Sequence, residues 1–264
     1  MREPRIPMEV TQWMDRNAWG IHHAVWHFSR LWEVEPKQNK FVKDNGGKRE
    51  DRQEGMAGNG LDFLAMHRNM IYALRSAFPQ HKNLWAGWTS VPTDPDDVND
   101  PVPDNHTTRL FDANKAKALP ILKDDLARFA TDDELGLYIE TMLDPAPKEP
   151  RRTKPDKSTG IHTYLHGRFK VDPTVIDPDS DVSMTNFIGN IKNQRFWRLH
   201  GWIDNVWSAY RKLKGLPDDQ PSYVAALKEQ HVPVSGKAMK MQHGVHVPSA
   251  REQDAIFDRL NSVK

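Results

Sequence analysis

The chain has 264 residues, enough for one large domain that buries most of its unfolded surface without disulfide bonds. It contains 0 cysteines, which excludes thiolate metal sites, cysteine nucleophiles and dithiol redox pairs. The 37 lysines and arginines nearly cancel the 36 aspartates and glutamates, and this balance argues against a nucleic-acid-binding or membrane-surface protein. Residues 1–10 contain no apolar signal-peptide core, so we expect a cytoplasmic location, with export on a partner left open.

The chain is predicted to be mostly α-helical, because its apolar residues recur at spacings of three and four and no segment alternates for long. Three stretches that contain several prolines, residues 91–104, 144–157 and 171–183, are predicted to be loops because proline lacks a backbone donor. The predicted helices cover residues 11–32, 60–78, 116–129, 132–142, 161–169 and 195–213, and a short last one begins at Ser249. We expect one domain over residues 1–230 and a tail over 231–264.

Histidine is the residue type that stands out, with 12 in the chain. Two pairs have the spacing His-x-x-x-His, namely His23 with His27 and His162 with His166. Residues four apart lie on one face of a helix, so the two imidazoles of a pair can bind one metal ion. His67 and His200 lie near the middle of two further predicted helices, each on an apolar, aromatic face.

Four helices that present histidine on apolar faces are expected to bury those faces together in a four-helix bundle. One such histidine alone is more often a hydrogen-bonded core residue, whereas several that converge are explained more simply by metal ligation. The absence of Glu-x-x-His and His-Glu-x-x-His argues against carboxylate di-iron and zinc protease sites. Imidazoles favour copper, zinc or nickel, and two sets of three leave open positions for a small molecule between two ions.

These segments resemble the motifs of the type-3 dicopper proteins, which are the tyrosinases, catechol oxidases and haemocyanins. His22-His-Ala-Val-Trp-His27 resembles the first-copper helix of arthropod haemocyanins and phenoloxidases, and Met66-His-Arg-Asn-Met70 resembles the third ligand of that copper. His162-Thr-Tyr-Leu-His166-Gly resembles the first two ligands of the second copper. Phe196-Trp-Arg-Leu-His200-Gly-Trp-Ile-Asp-Asn-Val-Trp207 resembles the second-copper signature and is the most specific match. The resemblance covers residues 15–215.

The resemblance implies a centre of two copper ions, with O2 as co-substrate, in a small single-domain member of the family. It assigns to the first copper the three histidines His23, His27 and His67. It assigns to the second copper the three histidines His162, His166 and His200. His22 remains an alternative to His23. The chain departs from bacterial tyrosinases at Gly58, where those enzymes usually place a first-copper histidine.

Three further residues are candidates for the catalytic machinery by the same resemblance. Thr163 follows the first histidine of the second copper, where tyrosinases often have an asparagine that helps to activate monophenols, so diphenol oxidation is the firmer expectation. Phe187 occupies the position where the family places a residue over the second copper, although core packing explains it equally well. Glu149 is the nearest upstream carboxylate available as a base, and an exposed loop charge is its simpler interpretation.

Two charged residues beside the histidines and one segment of the tail also lead to expectations. Asp204 is predicted to hydrogen-bond a ligand imidazole and fix its tautomer, rather than to pair with Arg198 or Lys212, and Arg68 is expected to pair with surface acids. The tail segment 239–246 has Met and His residues that can carry Cu(I), but a flexible tail is the favoured interpretation.

The predicted function is the oxidation of o-diphenols or o-aminophenols to quinones or quinone imines by O2, with monophenol hydroxylation left open. The chain is then a copper polyphenol oxidase of the tyrosinase, catechol oxidase or o-aminophenol oxidase class. An oxygen carrier like haemocyanin is the alternative, and a copper-free relic is a third possibility. The expected partners are a small phenol and, as an open question, a copper-loading protein or further copies of the chain, without nucleic acid or membrane.

Overall fold

The computed structural model describes residues 6–92, 113–141, 160–169, 182–230 and 232–234. Within these ranges the chain is mostly α-helical and has no β-strand, which confirms the predicted class. None of the helices in these ranges combines the length and the apolar composition that a membrane crossing requires.

Nine α-helices follow one another in the described residues. They are α1 Met8–Arg16, α2 Trp19–Arg30, α3 Pro36–Asp44, α4 Asn59–Ala77, α5 Ala113–Asp124, α6 Asp132–Thr141, α7 Ile161–Arg168, α8 Gln194–Leu213 and α9 Pro221–Glu229. Three short 3₁₀ helices at Pro79–Trp85, Leu126–Arg128 and Asn190–Lys192 lie between them. The predicted tail is described only at residues 232–234, and the helix predicted from Ser249 lies outside the described residues.

The prediction of one continuous helix over residues 11–32 is wrong. Two helices, α1 and α2, occupy this segment, and the break between them lies at Asn17 and Ala18. The side chain of Asn17 donates to the carbonyl of Trp13 at 2.8 Å, and Ala18 is left-handed with a φ of 53°. This break lets Trp13 pack edge-on against Trp19, with ring centroids 4.9 Å apart. The turn therefore sets the direction of α2, which carries the first histidine pair.

Helix α4 lies at the centre of the fold and packs against α6, α8 and α9. Its backbone touches that of α6 at Gly60 and Gly136, where a Cβ atom on either glycine would collide with the backbone of the other helix. Between α4 and α8, a buried ion pair joins Arg68 Nε to Asp204 Oδ1 at 2.5 Å. Helices α4 and α8 are thus fixed relative to each other beside the histidines that they carry.

The segment that follows α9 ties α2 to α4. The indole N–H of Trp19 donates to the carbonyl of Pro233 at 2.6 Å, and that of Trp26 donates to Gln230 Oε1 at 2.7 Å. The side-chain amide of Asn69, on α4, donates to the carbonyl of Gln230 at 2.8 Å. Helix α2 therefore depends on Gln230 and Pro233 for two buried hydrogen bonds.

Candidate metal centre

Four helices bring the six predicted histidines together in the interior. Helix α2 contributes His23 and His27, α4 contributes His67, α7 contributes His162 and His166, and α8 contributes His200. Five of the six side chains are buried, and His166 is partly exposed while its Nε2 is inaccessible. Tryptophan and phenylalanine side chains surround them, so the cluster lies in an apolar environment.

The rings form two overlapping groups of three. Ring nitrogens of His23, His27 and His67 lie within 4.8 Å of one another, and so do those of His67, His162 and His200. His67 therefore takes part in both groups. The ring centroid of His166 is 4.5 Å from that of His162, which places His166 beside the second group. His22, the alternative to His23, lies on α2 but in neither group.

Backbone carbonyls fix the orientation of four of the rings through Nδ1. In α4 and α8 the carbonyl comes from the same helix one turn earlier, at 2.9 Å for His67 with Phe63 and at 2.7 Å for His200 with Phe196. His23 and His166 instead contact carbonyls of a loop, at 2.9 Å for Phe187 and at 2.7 Å for Met184. A carbonyl only accepts, so Nδ1 is the donor in each case and the lone pair lies on Nε2.

The Nε2 atoms have few partners of their own. Those of His23, His27, His67 and His166 are buried and have no hydrogen bond to any residue that the structure describes. The remaining two, from His162 and His200, lie 3.1 Å from each other. Buried polar atoms without partners are costly, and a ligand imidazole typically donates its other N–H to a carbonyl. The donor set therefore fits one or more metal ions, and its neutral imidazoles suit copper, zinc or nickel.

Burial keeps these imidazoles neutral in the metal-free protein. Desolvation lowers the pKa of His23 and of His166 from 6.5 to about 4, although a backbone carbonyl opposes the shift in each. The pKa values of the other four rings fall well below 6.5, again through burial first and then through the neighbouring histidines. Neutral imidazole is the form that binds metal, so the site is ready for a cation at neutral pH.

A cavity of about 270 Å³ opens onto four of the histidines, which are His23, His27, His162 and His166. Phe187 forms one wall and is 37% exposed, with its ring centroid 5.4 Å from that of His27. Thr163 also lines the cavity and is exposed to solvent. Both residues predicted near the metal therefore lie at the cavity, whereas Glu149 lies outside the described residues.

Two carboxylates that the sequence analysis did not select, Glu54 and Glu140, line the same cavity and are buried. The Oε2 atom of Glu140 accepts a hydrogen bond from the side-chain amide of Asn59 at 2.6 Å. The backbone of Glu140 lies against Gly160, two residues before His162, where a Cβ atom on the glycine would collide with it. A lone carboxylate at the end of the apolar run in α6 was the signal for Glu140 in the sequence.

The predictions for Asp204 and Arg68 are both wrong. Asp204 does not contact a ligand imidazole; it binds Arg68, because that guanidinium is buried and needs an anionic partner. Arg68 also stacks over the ring of Trp207 at 3.8 Å. The acid that pairs with Arg68 is therefore buried and not at the surface. The role predicted for Asp204, which was to orient a ligand imidazole, is taken by backbone carbonyls.

No protein-family model matches the chain, and a search of the curated proteins finds no match either. The assignment of the six histidines to copper therefore stays a prediction that rests on the motifs and on the donor set.

Proposed function

We propose that this chain is a dicopper oxidase that oxidises small phenols with O2. The observation that carries the proposal is that four helices bring six imidazoles together, and four of the buried Nε2 atoms have no hydrogen bond within the described part of the chain. His23, His27 and His67 would hold one ion, and His162, His166 and His200 the other. Two bound copper ions would supply the O2 binding and the two-electron chemistry that no side chain provides.

The cavity supports a single aromatic ring as the substrate. Its volume of about 270 Å³ is close to the lower end of the range of roughly 300 to 1,000 Å³ for small-molecule sites. Phe187 offers a partly exposed ring face at the wall, on which a phenol can stack. The cavity reaches the histidines from solvent past Thr163 and Thr185, both of which are exposed.

Glu140 is our candidate for the group that accepts the phenolic proton. Its carboxylate lines the cavity together with the histidines of α7 and is held by Asn59 at 2.6 Å. A carboxylate fixed within reach of the substrate hydroxyl is suited to general base catalysis. Glu149, the candidate for this role from the sequence, lies outside the described residues.

An oxygen carrier with the same six histidines is the second candidate function. A carrier needs O2 to reach the metals but gains nothing from a cavity that admits a ring. The open cavity beside Phe187 therefore favours an oxidase.

Oxygen consumption by copper-loaded protein, given catechol and separately o-aminophenol, tests the proposal. We expect sustained uptake that the metal-free protein lacks. His200→Ala is expected to lose one copper and all uptake, while His81→Ala, which removes a histidine bound to Glu9 outside the cluster, keeps both. Reversible O2 binding by the two-copper protein without turnover would establish the carrier, and a chain that binds no copper would refute both functions.

A further inference from the structure

One turn of the backbone orients a histidine from each of the two predicted pairs. We call residues 183–190, which end at the first residue of the 3₁₀ helix Asn190–Lys192, the 183–190 turn. Its carbonyl at Phe187 contacts His23 Nδ1 on α2, and its carbonyl at Met184 contacts His166 Nδ1 on α7. These two carbonyls lie three residues apart, so a change in the turn reaches both rings.

The hydrogen bonds in the turn centre on Asn186. Its Oδ1 atom accepts from the backbone N–H groups of Ile188 and Gly189, both at 3.0 Å. The backbone N–H of Asn186 donates to the backbone carbonyl of Ser183 at 2.9 Å, and its backbone carbonyl accepts from the backbone N–H of Asn190 at 2.8 Å. Asn186 therefore lies between the two carbonyls that face the histidines and closes the backbone around them.

The turn is also seated directly on α2. A Cβ atom at Gly20 would collide with the carbonyl of Ile188, so the backbones of α2 and the turn are in close contact there. Gly20 lies three residues before His23, on the same side of the helix. This contact holds Phe187 close enough for its carbonyl to reach His23.

His67 and His200 are oriented in a different way. Their Nδ1 atoms use carbonyls of their own helices, at Phe63 and Phe196. Such bonds persist as long as α4 and α8 are helical and do not depend on the turn. These two rings therefore provide an internal control for any effect of the turn.

We propose that Asn186 is a positioning residue that fixes the Nδ1–H tautomer of His23 and His166 together, and so presents one Nε2 lone pair to each of the two metal ions. The inference rests on the proposed dicopper centre. It predicts that one substitution at Asn186, which lines neither group of histidines, weakens the binding of both ions.

Three substitutions form a graded series. Asn186→Ala removes the acceptor, Asn186→Ser retains a weaker one, and Asn186→Asp keeps the oxygen that accepts from Ile188 and Gly189. The matched control is Asn205→Ala, which removes an exposed asparagine whose side chain donates to the carbonyl of Ala86, and neither residue lines the cavity beside the histidines. Copper affinity is measured by competition with a chelator, and ring tautomers by ¹⁵N NMR of the metal-free protein.

In wild type and in Asn186→Asp we expect proton signals at Nδ1 of His23 and His166. Asn186→Ala is expected to mix the tautomers of these two rings alone. It is also expected to lower the affinity for both copper ions by about 10- to 100-fold, the usual effect of disturbing the hydrogen-bond partner of a ligand. Asn186→Ser is expected to fall between them, which keeps the series informative if the alanine variant does not fold.

Unchanged affinity and tautomers in the alanine or serine variant would overturn the positioning role while the copper centre stands. Equal changes at His67 and His200 would also overturn it, because they would indicate general loosening. If the wild type binds no copper but the tautomers still depend on Asn186, the dicopper function fails and the positioning of the two rings remains.

Discussion

The imidazole rings of His67 and His200 are stacked, with centroids 4.1 Å apart and planes inclined by 20°. They come from α4 and α8, which the Arg68–Asp204 ion pair also joins, one turn further along α8. Because His67 also lies in the group with His23 and His27, it connects the two halves of the centre.

This position predicts that His67→Ala damages both halves. We expect the variant to lose the first copper ion and to bind the second more weakly, since the ring of His200 loses the neighbour on which it stacks. His23→Ala is expected to lose the first ion only. Metal analysis of each chain after dialysis against a fixed free copper concentration provides the comparison. Equal binding of the remaining ion in the two variants would show that His67 serves one ion alone.

The stability of the metal-free protein is expected to fall as the pH decreases from about 7 towards 4. Burial lowers the pKa of His23 and His166 from 6.5 to about 4, and the other four rings shift in the same direction. Between these values the unfolded chain binds more protons than the folded one, so acid favours unfolding, by about 1.4 kcal/mol per unit of pKa shift. Asp62 opposes this trend, because burial raises its pKa from 3.8 to about 6 despite the nearby Arg52.

Urea unfolding at pH 7 and pH 5 measures this dependence. Asp62→Asn removes the opposing contribution, so the loss of stability on acidification is expected to be steeper in that variant. A free energy of unfolding that stays constant between the two pH values in the metal-free protein would contradict the prediction.

Asp204→Asn is expected to destabilise the fold by about 3 to 5 kcal/mol, because it leaves the buried guanidinium of Arg68 without its anionic partner. The control is Asp44→Asn, which breaks an exposed ion pair with Lys40 and is expected to cost less than about 1 kcal/mol. Chemical denaturation followed by circular dichroism gives both values. A similar small loss in the two variants would mean that the buried pair does not hold α4 to α8.

Glu140→Gln is expected to lower kcat for catechol by about 10²- to 10⁴-fold while both copper ions remain bound, because the amide cannot accept the phenolic proton. Glu54→Gln, which changes the other buried carboxylate of the cavity, serves as the comparison. Steady-state oxygen uptake together with metal analysis separates catalysis from metal loading. If only the Glu54 variant is slow, the proton acceptor is Glu54.

Phe187→Ala is expected to leave copper binding intact, since the carbonyl that contacts His23 belongs to the backbone. Loss of the aromatic wall is expected to raise KM for catechol between about 2-fold and about 10-fold, from the 0.5 to 1.5 kcal/mol of an aromatic contact. Leu213→Ala, a truncation of an exposed apolar residue at the end of α8, is the control. An unchanged KM would show that the substrate does not contact Phe187.

The long amphipathic helices were predictable from the sequence. The predicted bounds of two helices, 60–78 and 195–213, lie within one residue of the observed bounds of α4 and α8 at each end. They could be predicted because the apolar spacing is sustained over several turns. Helices α3 and α9 were missed, since each begins at a proline that looks like a helix breaker but occupies the first turn, where its missing N–H is not needed. At the break between α1 and α2, Asn17 is of a type that bonds its own backbone, but Ala18 gives no signal for its left-handed φ.

The histidines of the candidate site were predictable from the sequence, but the buried carboxylates of its cavity and the hydrogen-bond partners of the rings were not. Spacing and context select the six histidines, which the fold brings together. The partners of the rings are backbone carbonyls such as those of Phe187 and Met184, and any residue type supplies a carbonyl. The pairing of Arg68 with Asp204 joins residues 136 positions apart, a distance over which sequence pattern carries no information.

The hydrogen bonds from Trp19 to Pro233 and from Trp26 to Gln230 also set an order of events during synthesis. They join residues 214 and 204 positions apart, so α2 emerges from the ribosome long before its acceptors exist. At roughly 5 to 20 residues per second, that delay is on the order of 10 to 40 s. His23 and His27 are therefore among the first histidines of the cluster to be made and among the last to be fixed in place. A metal ion that needs both rings is expected to bind only after the chain is finished.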